Sequence, residues 1–136
     1  MEFDFLGFKG DNGTNVEKKE RQQFYMETVL SRRRKQIKET MRQRALKKVE
    51  IAAKMLYSEG AEEVCVFGSV LKPSEFDEHS DVDIAVKGIR EEKRIPVIRQ
   101  LDEVFGEIPF DVVFLEEPLR PEIRERIEGE GVRWRH

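Results

Sequence analysis

The sequence has a single cysteine, Cys65, so no disulfide framework can staple it; the thiol lies in the apolar run Val64-Cys65-Val66-Phe67 and reads as core packing in a reducing compartment. It has no run of eighteen apolar residues and no charged-then-apolar leader, so neither a membrane span nor a signal peptide is expected, and the expected location is the cytoplasm. Asn and Gln number only two and five, while 39% of the residues are charged, against about 25% in ordinary soluble domains. That usage resembles thermophile proteins. Neither Gly nor Pro occurs between Gly13 and Gly60, which removes the usual helix breakers from a third of the chain.

The 136 residues suffice for one core with little to spare. Net charge is only −3, but residues 32–48 carry nine Lys or Arg against one Glu, a local net of +8. The remainder holds 16 basic against 27 acidic residues, a net of −11. Such asymmetry suits an acidic partner or a nucleic acid. The basic run lacks interleaved aromatics, so a solvated or partner-facing helix is favoured and nucleic-acid binding is the weaker alternative.

Periodicity orders the chain. Residues 1–13 mix bulky apolar groups with three glycines and suit a docking arm or a loose terminus. Thr14 and Glu17 form a capping-box pattern that opens a helix. Ile37, Met41, Ala45, Val49, Ala52, Ala53 and Leu56 give one apolar stripe, and Tyr25, Met26, Val29 and Leu30 a second cluster upstream. The run Arg32–Lys35 separates them, so the spacing predicts two helical segments, continuous or broken, ending at Gly60. Beyond Gly60, strands are predicted at Val64–Phe67, Asp81–Val86, Phe110–Leu115 and Val132–Trp134. Helices are predicted at 91–105 and from the Pro118–Pro121 stretch to about Glu128. Strands and helices alternate, so the class is α/β. The organisation expected is an extension of arm plus helix over residues 1–35 and a domain over 36–136. Phe3, Phe5, Leu6, Phe8, Phe24 and Tyr25 make that extension too apolar to stand in water as a group, so it is expected to fold back or to join copies of the chain in a homo-oligomer.

The candidate chemistry lies between Val64 and Phe114. In a strand, residues two apart share a face, so Asp81 and Asp83 project together about 7 Å apart. Ile84 and Val86 mark the strand as central, and two carboxylates there repel each other and lose hydration unless a cation neutralises them. Asp111 opens another apolar strand. Three convergent carboxylates suit hard, oxygen-preferring ions such as Mg²⁺, and a pair of such ions serves in-line phosphoryl displacement. Gly68-Ser69, at the end of an apolar strand, suits a phosphate: Gly68 admits close backbone approach, a following helix would present free N–H groups, and the Ser69 hydroxyl adds a hydrogen bond. Lys72 is placed to add positive charge. Taken singly, Gly-Ser is a turn, Asp-x-Asp an exposed pair and Asp111 a strand-edge residue; order, strand context and spacing make them one candidate site. His79 reads as a polar loop residue, and Trp134 as a cap on the core edge.

This pattern of apolar strand, Gly-Ser, a loop of about ten residues, Asp-x-Asp and a third Asp on a later strand resembles the minimal nucleotidyltransferases of the DNA polymerase β superfamily. The likeness runs from about residue 45 to 136 and includes the tail Ile123-Arg-Glu-Arg-Ile127 and Gly131-Val132. It implies a palm-like mixed sheet flanked by helices, here with a long N-terminal helical extension, ATP as donor and Mg²⁺, two ions in number. Carried over by position, Asp81, Asp83 and Asp111 take the catalytic and metal roles and Gly68 and Ser69 the phosphate role. The chain departs from the family where Lys72-Pro73 replaces the common Arg-Gly, and in a loop, residues 74–79, that is acidic and one residue longer. Family members of this kind act as antitoxins of all-helical HEPN-domain toxins by adenylylating a tyrosine on them. The expectation is therefore transfer of AMP from ATP to a partner's tyrosine, the residue count leaving no room for a template grip or a second substrate domain. The alternatives are a catalytically silent module that occludes its partner, and a nucleic-acid-binding protein led by residues 32–48.

Overall fold

The computed structural model describes residues 15–135, apart from the Glu27 side chain. The arm at 1–13 and the capping residue Thr14 lie outside the described residues. Helix α1 runs unbroken over Asn15–Ser58, through the basic run, because nothing between Gly13 and Gly60 breaks it. The chain divides into two units between Ile37 and Lys38, and α1 crosses that division. In the first unit the helical residues Val16, Phe24, Met26 and Leu30 are exposed, and the Thr28 hydroxyl donates back to the Phe24 carbonyl at 2.9 Å. Ile37, expected in the buried stripe, is 59% exposed; the stripe begins at Met41, half-buried, and continues through the buried Ala45, Val49, Ala52, Ala53 and Leu56.

The second unit is a four-stranded sheet with helices on both faces. Its strands are β1 (Glu63–Phe67), β2 (Val82–Lys87), β3 (Phe110–Phe114) and β4 (Val132–Arg133), in the order β3-β2-β1-β4. β1 pairs antiparallel with β2 and β4, whereas β2 and β3 are parallel and joined by helix α2 (Glu91–Phe105). A parallel pair needs such a crossover. The lower half of α1 and α2 cover one face, where Val64, Val66, Val82, Ile84 and Val86 meet Val49, Leu56, Val97, Leu101 and Phe105. On the other face Cys65, Phe67 and Ala85 take Ile123 and Ile127 of helix α3 (Pro121–Glu130). Burial pushes the Cys65 thiol above its ordinary pKa, in keeping with a packing role.

The tail is pinned to α1. The Tyr57 hydroxyl donates to the Trp134 carbonyl at 2.6 Å and accepts from the Val64 N–H at 3.3 Å, and Trp134 N–H donates to Val64 at 2.7 Å. Among the described residues, no helix is long and apolar enough to cross a membrane.

Candidate active site at the β2–β3 carboxylates

The site grows from strand register. Asp83 on β2 stands opposite Asp111 on β3, and Phe67 of β1 stands opposite Asp83. Directly paired residues project to the same face, so both carboxylates emerge on the α3 side, away from the α1–α2 core. The ladder extends past Pro109, whose carbonyl accepts from Val82 N–H at 2.9 Å, and this fixes the start of both strands. Asp81 lies one residue before β2 and is exposed, as is Asp111; the Asp83 side chain is 18% exposed.

Burial pushes the Asp83 carboxyl up to about 6; the Arg126 guanidinium pulls it back, while Asp111 and Asp81 push it further up. The three expected carboxylates therefore share one electrostatic neighbourhood. Their side chains are not closed around a point: among the described residues no three His, Cys, Asp or Glu groups stand as a ready metal cluster. The donors nevertheless fit a hard cation by chemistry, all being carboxylate oxygens, and by backbone placement on one face of adjoining strands. In this conformation a side chain supplies the positive charge. Arg126 Nη2 stands 3.5 Å from Asp83 Oδ2, and its guanidinium lies 5.3 Å above the centre of the Phe67 ring.

Gly68 follows β1 and faces this pair. Its backbone (φ 86°, ψ −160°) lies in a region that only glycine adopts readily, and a Cβ there would run into Asp83 Oδ2 and come within 3.0 Å of Arg126 Nη2. The backbone can thus approach a ligand at Gly68 only because no side chain is present. The helix expected after Gly68-Ser69 is instead a single 3₁₀ turn, Ser69–Leu71. Pro73 is the cause: the residue before a proline is driven out of helical conformation, and Lys72 is extended at φ −111°, ψ 115°. No helix dipole builds up over three residues, so the turn offers local N–H groups only. The Arg42 side chain, reaching over from α1, donates from Nε to the Val70 carbonyl at 2.8 Å and steadies the turn.

Lys72 does not reach toward the carboxylates. Its ammonium lies 3.2 Å from Glu130 and 3.9 Å from Glu75, and the Lys72 contact holds the Glu130 carboxyl below its usual range. Glu130 also meets Arg126 Nε at 3.5 Å, so Lys72, Glu130, Arg126 and Asp83 form one chain of charges. The acidic loop before β2 is anchored by Phe76, which is buried in the core, and by the His79 N–H, which donates to Asp77 Oδ1 at 2.9 Å. His79 itself is exposed beside Glu78. Sequence reasoning missed Arg126 and Glu130 as parts of the site. The available signal was their i, i+4 spacing beside Ile123 and Ile127, the apolar pair that seats α3 on the sheet.

These features define a mixed α/β sheet flanked by helices with a long N-terminal helix, the architecture expected from the sequence. No protein-family model and no curated protein matches the chain. Among solved structures it is similar to the toxin–antitoxin MntA–HpeT carrying two aspartate-to-glutamate replacements, with a TM-score of 0.50 and 18% identity over 63% of this chain and 70% of that chain. A toxin–antitoxin solved with AMP-PNP gives a TM-score of 0.50 and 20% identity over the same shares. At these identities the likeness establishes the fold.

Proposed function

We propose that the chain is a nucleotidyltransferase antitoxin that moves AMP from ATP to the hydroxyl of a tyrosine on a helical HEPN-type toxin. The observation that carries this reading is the pairing of Asp83 with Asp111 on adjoining parallel strands, facing a side-chain-free Gly68. The toxin–antitoxin relatives, one of them bound to AMP-PNP, support it at the level of fold. In this reading Asp81, Asp83 and Asp111 hold two Mg²⁺ ions, whose chemistry when bound is to neutralise the charge of the triphosphate and of the leaving pyrophosphate. Gly68 and Ser69 seat the phosphates by backbone and hydroxyl contacts, and Lys72 lends positive potential at the rim. The acceptor oxygen attacks the α-phosphorus, its bond to the bridging oxygen breaks, and pyrophosphate leaves. Asp111, the more exposed of the two facing carboxylates, takes the hydroxyl proton. The work is done in the cytoplasm, and residues 36–136 are the catalytic domain.

The test is to co-express the chain with the protein encoded beside it and weigh that partner by mass spectrometry. A gain of one AMP on a tyrosine, absent with Asp83→Asn, is the expected result. A partner that is inhibited but unmodified would transfer the assignment to an occluding module.

A further inference from the structure

Arg126 is the one cation within salt-bridge distance of the facing carboxylates among the described residues, and it comes from α3, not from the sheet. Its surroundings describe a side chain held at Nε and loose at its far end. Glu130, one turn on, holds Nε at 3.5 Å, and the Phe67 ring lies beneath the guanidinium plane. At the far end of the group, Nη2 reaches Asp83 at 3.5 Å and overhangs the bare Gly68 backbone, where an added Cβ would come within 3.0 Å of it. The side chain is 49% exposed, so its contact with Asp83 is a screened, long ion pair of the weak kind. A divalent cation at Asp83 would displace it. With Nε still on Glu130 and the plane on Phe67, displacement would free the terminal Nη1–Nη2 edge, which already lies beside Gly68. Guanidinium is the side chain best shaped to grip a phosphate there with two parallel hydrogen bonds.

We propose that Arg126 is a two-position residue: counter-ion to Asp83 in the free protein, and ligand to the β,γ-phosphates of the nucleoside triphosphate in the loaded one. This rests on the nucleotidyltransferase reading of the same site. Arg126 thereby keeps the carboxylate pair from standing uncompensated before substrate arrives, and it adds a direct phosphate contact that Lys72, drawn toward Glu130 and Glu75 at the rim, does not make.

Three binding measurements on full-length wild type, Arg126→Ala and Arg126→Lys test it by titration calorimetry, with thermal unfolding as the folding control. With Mn²⁺ alone, Arg126→Ala is expected to bind several-fold more tightly than wild type, because the competing cation is gone, and Arg126→Lys to stay near wild type. With AMP-PNP and Mg²⁺, Arg126→Ala is expected to bind at least tenfold more weakly, with Arg126→Lys between the two. With AMP, which lacks the β,γ-phosphates, the three proteins are expected to agree within about twofold. Opposite signs for metal and triphosphate are what a merely structural role cannot produce. If Arg126→Ala weakens both alike, or leaves AMP-PNP binding unchanged while wild type binds it, the two-position role is overturned and the nucleotidyltransferase reading survives. If wild type fails to bind AMP-PNP with Mg²⁺, that reading falls and takes this one with it.

Discussion

At the scale of single residues, Gly68 and Asp83 are fixed by each other. Gly68→Ala puts a Cβ into Asp83 Oδ2 at a φ of 86°, so the variant is expected to lose about 1–3 kcal/mol of stability and, on the proposed function, the stabilisation by ATP as well, read by thermal unfolding with and without ATP and Mg²⁺. Asp83 gives a pH signature. Its carboxyl, raised to about 6, binds a proton more tightly when folded than when unfolded, so its cost to stability is absent below about pH 4 and fully present above pH 6. Asp83→Asn is therefore expected to match wild type near pH 4 and to exceed it at pH 7 by up to about 3 kcal/mol, the gap opening as pH rises. Asp77 and Glu130, held low by partners present in both proteins, titrate in the opposite sense and largely cancel from that difference. Denaturant melts of metal-free protein across this range check it; a gap that closes with rising pH contradicts the assignment. The carboxylates could be read from the sequence because period-two alternation fixes which face each occupies. For Arg126 the i, i+4 spacing with Glu130 marks only a helical pair; its reach to Asp83 depends on how α3 lies across Phe67, which no local pattern encodes.

Among the elements, the three longer strands and α2 were legible to within a residue, because each is an apolar period bounded by Gly or Pro. The helix expected after Gly-Ser does not form, because Pro73 constrains Lys72 and ends the turn at once. Ile37 fits the spacing of the buried stripe but stands exposed, because the covered part of α1 begins a turn later. β4, only two residues long, depends on outside support from Tyr57. Tyr57→Phe removes the 2.6 Å bond to the Trp134 carbonyl and the acceptor for Val64 N–H, so it is expected to cost about 1–2 kcal/mol. Amide exchange should then quicken across 132–135 while β2 and β3 keep their protection. Leu56→Ala, by contrast, opens a hole in the main core and should cost about 2–5 kcal/mol throughout.

For the molecule as a whole, the question is what residues 15–37 are for. Phe24, Met26 and Leu30 stand exposed on the part of α1 that, among the described residues, adds nothing to the buried core cluster. We expect residues 38–136 to fold without the first unit and to unfold within a few degrees of the full chain, while light scattering shows the full chain to be the larger assembly. Equal assembly states would count against the self-association proposed for the extension. The parallel pairing of β2 with β3 also governs how such a chain can change. Because the side chains of a strand alternate, a slip of β3 by one residue would turn Asp111 from the α3 face into the apolar layer of Ile84, Val97 and Leu101; a slip of two would restore its face but seat it beside Ala85 or Asp81. The turns flanking α2 can gain or lose residues freely only while they deliver β3 in the same register. Inheritance of this site is thus a matter of parity and phase: descendants can lengthen loops at will, but an altered count that reaches the ladder parts Asp111 from Asp83 in one step.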